Sequence, residues 1–362
     1  MNLQPTNTEE LQAVILENKS LLLRGGGTKT ALSTVANESM ILDMGKINGI
    51  IEYEPSEYTF TAYAGTPLRT IVAALAEHGQ YLPFDPLLVE KGATIGGTVA
   101  ANTSGSGRWR YGGVRDFILG IRFVDGQGRS VRSGGKVVKN AAGFDLSKFF
   151  VGSIGRFGAL VEMTFKVFPQ PRHYMTLQMT YAILANAMQA IFALTTSPLE
   201  TDAVDIETYR DEIVVLIRLG GLETALAGRV ERLKNFLSQN SPVEAIEIIE
   251  DDLQLWQSVN HLEWASDYSS FIKVPIAPRQ VEDLEMKLQL IQSKRRYSAA
   301  GNIAWLAIND DSQIAALLND LQLVGLRILG PADSPFIGQL KGRDMLQRMK
   351  QVLDPHNIFG DI

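Results

Sequence analysis

Glycine-rich stretches crowd the first half of this 362-residue chain, and any fold it adopts must explain them together. The first is Arg24-Gly25-Gly26-Gly27-Thr28-Lys29, directly after the apolar run Leu21-Leu22-Leu23. The second runs from Gly92 to Gly105 and includes Gly96-Gly97 followed by small residues. Tyr111-Gly112-Gly113 is the third, and the stretch from Lys139 to Leu160 is the fourth. Glycine lacks a Cβ, so the backbone turns tightly and approaches a ligand closely. Successive N–H groups in such turns form concave sites for phosphate oxygens. The spacing is neither that of a P-loop, G-x-x-x-x-G-K-[ST], nor the Rossmann G-x-G-x-x-G. A lone Gly-Gly-Gly turn is equally a structural loop, and a run such as Thr94–Asn102 is equally a tightly packed helix. A long dinucleotide laid across one lobe accounts for all four stretches at once.

Composition removes whole classes of chemistry. The chain has no cysteine, which excludes disulfides, thiolate zinc sites, iron–sulfur ligation and a cysteinyl flavin link. His78, His173, His261 and His356 lie far apart and show no metal-ligand spacing. A net charge of −6 argues against a nucleic-acid partner, which requires a strong basic face. Lys294-Arg295-Arg296 is short and reads as a solvated helix end. The start, Met1-Asn2-Leu3-Gln4-Pro5, has neither a basic nor an apolar signal region, and no apolar run reaches membrane-spanning length. The expected location is cytoplasmic.

Hydrophobic residues make up 45% and charged residues 20%, as in a folded soluble protein. The length predicts two lobes. Thr6-Asn7-Thr8-Glu9 fits a capping box before the apolar positions Leu11, Val14 and Ile15. Thr66-Pro67 predicts a helix start, with Leu68, Ile71, Val72 and Leu75 on its apolar face. Residues 117–132 read as a hairpin around Asp125-Gly126-Gln127-Gly128. Pro169-Gln170-Pro171 interrupts regular structure and marks the lobe boundary. Beyond it, strand and helix patterns alternate, predicting an α+β lobe with an antiparallel sheet and helices on one face. A final helix over 342–352 stops at Asp354-Pro355.

The motifs Gly92-Ala93-Thr94-Ile95-Gly96-Gly97 with Ala100-Ala101-Asn102, Tyr111-Gly112-Gly113-Val114-Arg115-Asp116-Phe117, Lys139-Asn140-Ala141-Ala142-Gly143 and Gly152-Ser153-Ile154-Gly155-Arg156-Phe157-Gly158 together resemble the FAD-binding domain of the vanillyl-alcohol-oxidase and p-cresol-methylhydroxylase family. Within it, their order is similar to the FAD-binding subunits of bacterial glycolate oxidases. The resemblance is strong over residues 20–170, and the ending Leu353-Asp354-Pro355-His356-Asn357-Ile358-Phe359 shares the family's terminal pattern. It implies an α+β fold: a two-subdomain FAD-binding lobe of the p-cresol-methylhydroxylase (PCMH) type over 1–170, an α+β cap with an antiparallel sheet over 171–330, and a C-terminal segment, 331–362, returning to the FAD lobe. By residue match it assigns pyrophosphate and ribose contacts to Arg24, Gly25, Gly26, Gly27, Thr28 and Lys29, and to Thr94, Ile95, Gly96, Gly97, Ala100, Ala101 and Asn102, with Ser104 and Gly105. Tyr111 and Gly112 match a loop approaching the isoalloxazine, and Gly155, Gly158 and Leu160 match a strand beside the flavin edge or the adenine. Relatives with covalent flavin carry histidine directly after the glycine loop. Thr28 stands there, so non-covalent FAD is expected.

Oxidation of a 2-hydroxy acid needs a cation for the carboxylate and a base for the hydroxyl proton. Arg210, Arg218 and Arg279 are candidate anion contacts that read equally as solvated charges, and His261 reads as a surface or core residue. No catalytic residue is assigned. The chain is then a glycolate- or D-lactate-type dehydrogenase, a flavin-bearing subunit of a larger complex, or a nucleotide-binding module without redox function. The scarcity of acid–base residues favours the subunit. The resemblance implies a larger FAD-containing subunit and an iron–sulfur subunit as its partners, with any membrane association through them.

Overall fold

The computed structural model describes residues 2–33, 39–135, 144–208, 212–330 and 334–361. The chain divides into two compact units. The first comprises residues 1–104, 112–170 and 341–362; the second comprises 105–111 and 171–340. The returning segment thus begins after Leu340 rather than at residue 331, because Phe336–Gly338 pairs with strand Val324–Leu329 of the second unit. The motif Lys139–Gly143 and Arg210 lie outside the described residues.

The first unit has two main sheets. Leu21–Arg24, Met40–Asp43 and Asn2–Leu3 form a parallel sheet. Helix Thr8–Glu17 buries Leu11 and Ile15 beside it. Its cap is shifted by one residue from the expected box: Asn7 accepts the Glu10 N–H, and the Glu10 carboxylate accepts the Thr6 N–H. The second sheet is antiparallel, in the order Ile50–Glu54, Thr59–Tyr63, Ala159–Lys166, Ile118–Val124, Ser130–Gly134. Its two outer members include the expected hairpin, which turns at Asp125, whose carboxylate accepts the N–H groups of Gln127 and Arg129. Helix Leu68–Ala76 follows, with Pro67 as its N-cap rather than its first residue; Leu68, Ile71 and Leu75 are buried, while Val72 faces outward. Leu21, Leu42, Val124, Val161 and Phe359 meet in one core that joins the two sheets.

The second unit is built on one antiparallel sheet, in the order Ala245–Ile249, His173–Tyr181, Ile213–Gly221, Ala203–Glu207, Ser293–Ser298, Ile303–Ile308, Ser270–Pro275, Val324–Leu329, Phe336–Gly338. Helices Leu184–Thr195, Glu223–Asn240, Val281–Leu288 and Ile314–Asp320 bury their apolar stripes on one face. On the other face, helix Leu253–Asn260, not expected from the sequence, packs Trp256 against Ala203 and Leu216.

Lys294-Arg295-Arg296 is a correction. It lies in strand Ser293–Ser298, not at a helix end. Strand alternation sends Arg296 into the protein, where it is 1% exposed. Its guanidinium donates to Asp205 at 2.7 Å and also meets Glu207. Cross-strand register sets Lys273, Trp305, Arg296 and Glu207 in one row. Burial, and then the nearby Arg108, push the Lys273 ammonium down to about 7. Segment 105–111 is bound into this unit by three side chains: Ser106 donates to Asp205 at 2.6 Å, Trp109 to Thr201 at 2.8 Å and Arg110 to Asp202 at 2.9 Å.

Removing one member of a buried ion pair strands the other charge away from water. Arg296→Ala should therefore destabilise the second unit by about 3–5 kcal/mol, whereas the double variant Arg296→Met/Asp205→Asn should recover much of that loss. Urea unfolding of the three proteins checks this, and equal midpoints for wild type and Arg296→Ala would contradict it.

Candidate cofactor site

Strand Leu21–Arg24 delivers the first glycine loop to the mouth of a cleft. Arg24 is fixed as it leaves the strand, its guanidinium 3.2 Å from Asp43. Burial pushes the Asp43 carboxyl up, but the Gly45 N–H, the Gln4 amide and Arg24 outweigh it and hold it below its ordinary value. The carboxylate is therefore charged and anchors Arg24 at neutral pH.

The loop interlocks with the second glycine stretch. A Cβ on Gly25 would stand 2.3 Å from the Thr94 hydroxyl, and one on Gly26 would stand 1.9 Å from the Gly92 carbonyl oxygen. Gly27 has φ +66°, a left-handed conformation that favours glycine. The second stretch is docked in turn on the antiparallel sheet. Gly96 donates to the Ala64 carbonyl at 2.9 Å, and its missing Cβ would stand 2.8 Å from Ala64. Thr94 caps helix Ile95–Ala101 by accepting the Gly97 N–H at 3.2 Å. Gly26 and Gly96 are thus required first by close main-chain packing and Gly25 by the Thr94 side chain, and the ligand-facing surface is what that packing leaves.

What it leaves is an open cleft. Among the expected residues, Arg24, Gly25, Gly26, Gly27, Thr28, Lys29, Thr94, Gly96, Gly97, Ala100, Ala101, Gly155, Gly158 and Leu160 all line it. Three separate sequence stretches therefore converge on one cavity. Sequence reasoning missed Leu23, Leu32, Ser33, Met44, Ala64, Ser153 and Ile154, which also line it. Ser153 lies inside the Gly152–Gly158 motif, and that motif was the signal available for it. Met44 and Ala64 carry no such signal.

The remaining expected residues stand elsewhere. Ile95 is fully buried, turned into the core by the helix period. Asn102 caps the same helix in a left-handed conformation, φ +49°. The Ser104 hydroxyl accepts the Val114 N–H at 3.1 Å, a structural bond. Gly112 packs against Asp116 in the first unit, outside the cleft lining. Gly105 and Tyr111 belong to the second unit. The candidate anion contacts in the cap are also accounted for structurally. Arg218 is bidentate to Asp252 at 2.7 and 3.0 Å, with its guanidinium 3.9 Å from the centroid of the Tyr174 ring. His261 lies 3.9 Å from Glu263, and Arg279 is exposed.

Two polar groups in the cleft wall fit a ligand that carries both phosphate and hydroxyl groups. Lys29 is 6% exposed, and burial pushes its ammonium down to about 8. The Ser153 hydroxyl is buried with no hydrogen-bond partner among the described residues. An unsatisfied buried hydroxyl costs stability unless a ligand or water completes it. The apolar groups Leu23, Met44 and Leu160 supply surface for a flat ring system.

Comparison with known proteins shows what the chain is similar to. Residues 2–134 match the family described as FAD binding domain. The chain is 38% identical over 225 residues to the glycolate oxidase subunit GlcE of Escherichia coli (strain K12), covering 62% of this chain and 63% of that one. It is 31% identical over 193 residues to a D-lactate dehydrogenase of Archaeoglobus fulgidus, covering 52% of this chain and 43% of that one. The chain thus spans less than two thirds of the length of these curated relatives. Among solved structures, p-cresol methylhydroxylase with substrate bound aligns over 99% of this chain and 87% of its own, with a TM-score of 0.76 at 13% identity. Alkyldihydroxyacetonephosphate synthase aligns over 99% and 75%, with a TM-score of 0.71 at 15% identity. Residues 2–134 thus match the FAD binding domain family, within a chain that has the p-cresol-methylhydroxylase fold.

Proposed function

We propose that this chain is the FAD-binding subunit of a glycolate-oxidase-like complex that oxidises glycolate or a related 2-hydroxy acid and passes the electrons to a partner. The observation that carries this reading is the convergence of the Arg24–Lys29, Thr94–Ala101 and Ser153–Leu160 stretches on one cleft within the chain matched to FAD-binding and glycolate-oxidase relatives. The proposed partners are a larger FAD-containing subunit and an iron–sulfur subunit, and any attachment to a membrane runs through them. Among the described residues, no helix is long and apolar enough to cross a membrane.

FAD, when bound, supplies the two-electron acceptor. The chain's own contribution is binding and orientation. The loop 25–28 and the 94–97 turn cradle the pyrophosphate, Ser153 completes its hydrogen bonding on a ribose or phosphate oxygen, and Leu23, Met44 and Leu160 exclude water from the ring system. In the cap, the candidate anion contact Arg218 pairs with Asp252, and Arg296 pairs with Asp205. This supports a chain whose substrate chemistry is completed in a complex. A stand-alone D-lactate-type dehydrogenase is the alternative favoured by the archaeal similarity.

FAD bound without a covalent link should leave with acid or heat denaturation. Thr28 at the position of the linking histidine and the absence of cysteine lead to this expectation. Flavin fluorescence that migrates with the polypeptide in denaturing electrophoresis would refute it.

Gly97→Asp tests the cradle. The Cβ at 97 meets only the Thr94 hydroxyl, at 3.2 Å, so the loop can keep its shape while a carboxylate enters the cleft. Repulsion from the pyrophosphate, on the order of 3 kcal/mol, should weaken FAD binding about 100-fold. Gly26→Asp is less diagnostic, because it collides with the Gly92 carbonyl. Near-normal flavin content in folded Gly97→Asp protein would remove the cradle assignment.

Steady-state assays of the isolated chain with glycolate and with D-lactate, using an artificial acceptor, separate the two readings of activity. The subunit reading expects little turnover until the partner subunits are added. Turnover by the chain alone at ~1–10³ s⁻¹, the ordinary range for enzymes, would establish the stand-alone dehydrogenase.

A further inference from the structure

The well-defined ion pairs elsewhere in this protein follow a simple rule, in which a cation meets an acid. Arg296 faces Asp205, Arg218 faces Asp252, and Lys350 donates to Asp354 at 2.6 Å. Lys29 departs from this rule. It is 6% exposed, it lines the FAD cleft directly after the glycine loop, and its ammonium makes no ion pair or hydrogen bond among the described residues. Arg24 is the other charged residue in the cleft lining, and Asp43 already neutralises it. Arg156, next to the lining glycine at 155, turns away to donate to the Phe359 carbonyl at 2.7 Å. Among the described residues, the cleft therefore holds one cation without an anion, in a wall otherwise made of glycines, hydroxyls and apolar side chains.

We propose that Lys29 is the charge partner of the FAD pyrophosphate, and that FAD binding draws a proton onto its Nζ whenever the empty cleft holds the amine neutral. This rests on the reading of the cleft as the FAD site. Burial is the cause that lowers the ammonium's proton affinity, to about 8, when the cleft is empty. A pyrophosphate brings negative charge within a low-dielectric pocket and raises it again, because an opposite charge nearby favours the protonated form. Between the empty-state value and the bound-state value, each binding event takes up as much as one proton. Affinity then falls up to tenfold per pH unit as pH rises through that window. Below it, Lys29 is charged both before and after binding, and affinity is independent of pH.

The lysine also leaves a mark on the empty protein. A lysine whose folded value lies below its unfolded value of about 10.4 lowers stability at neutral pH, and the cost is relieved as pH rises from about 8 to 10.4. FAD-free Lys29→Met should therefore melt higher than wild type at about pH 7, with the gap closing toward about pH 10. That comparison also shows that the variant folds.

The test is titration of FAD-free wild type, Lys29→Met and Lys29→Arg with FAD and with ADP, from about pH 7 to about pH 9.5, followed by calorimetry in buffers of different ionisation enthalpy. ADP carries the pyrophosphate without the isoalloxazine, whose own titration would otherwise overlap. For wild type, the expected result is proton uptake and falling affinity above about pH 8 with both ligands. Lys29→Arg should bind with no slope and no proton uptake, because a guanidinium stays charged throughout. Lys29→Met should bind weakly at every pH, also with no slope. Wild-type affinity and slope in folded Lys29→Met, or the absence of proton uptake in wild type, would overturn the assignment of Lys29 while leaving the FAD site intact. Failure of both ligands to bind wild type at about pH 7 would overturn the FAD reading itself.

Discussion

Main-chain contact between two glycine segments sets the geometry of the whole first unit. The loop 25–27 and the stretch 92–97 touch where side chains would ordinarily separate them, at Gly25 against Thr94 and Gly26 against the Gly92 carbonyl. A third approach, Gly96 against Ala64, fixes that pair to the antiparallel sheet. These contacts bring the edge of the parallel sheet and the edge of the antiparallel sheet within one cleft width of each other. Interiors tolerate such closeness only where no Cβ intrudes, and forced overpacking costs on the order of 1–3 kcal/mol. The glycines thus define the space available to a cofactor before any of them contacts it.

The strand that launches the glycine loop is anchored by the C-terminal segment. Asp354 accepts the N–H groups of Ile358 and Phe359, both at 2.9 Å, and the Lys350 ammonium at 2.6 Å. Gly126 gives the Leu353 carbonyl its partner, and a Cβ at 126 would stand 2.1 Å from the Asp354 carboxylate. This knot delivers Phe359, 1% exposed, into the core shared by the two sheets. The Leu21 N–H donates to the Ile358 carbonyl at 2.7 Å, which ties the terminal segment to the strand that launches the glycine loop. Residues more than two hundred positions downstream therefore support the loop at 25–27.

How much of this was legible in the sequence depended on whether the controlling physics was local. Glycine runs advertise themselves, because close approach and left-handed φ leave few other choices, and they located the cleft. Most cap strands and helices were readable from their periods of two and three to four. Lys294-Arg295-Arg296 was misread because charge density is a surface signal. Only the neighbouring strand, with Asp205 and Glu207 in register, reveals that the middle arginine is an internal one. Gly105 and Tyr111 were assigned to the cofactor by residue match to the family. Ser106, Trp109 and Arg110 bind that segment to the second unit, through partners about ninety residues away. Ile95 and Ser104 were placed by motif alone, and helix phase turned one into the core while the other was used by a turn.

Charge matching separates structural sites from ligand sites within one chain. Asp205 gathers Ser106, Ser298 and Arg296 on one of its carboxylate oxygens, inside the second unit. The cleft of the first unit differs in where its polar groups stand. Its ion pair, Arg24 with Asp43, sits at the rim and fixes the loop, while Lys29 and the Ser153 hydroxyl are left facing the cavity without protein partners among the described residues. Leaving polar groups open costs the empty protein stability, and a ligand that satisfies them recovers that cost on binding. The FAD-free chain should for that reason be the less stable form, with the difference concentrated in the first unit.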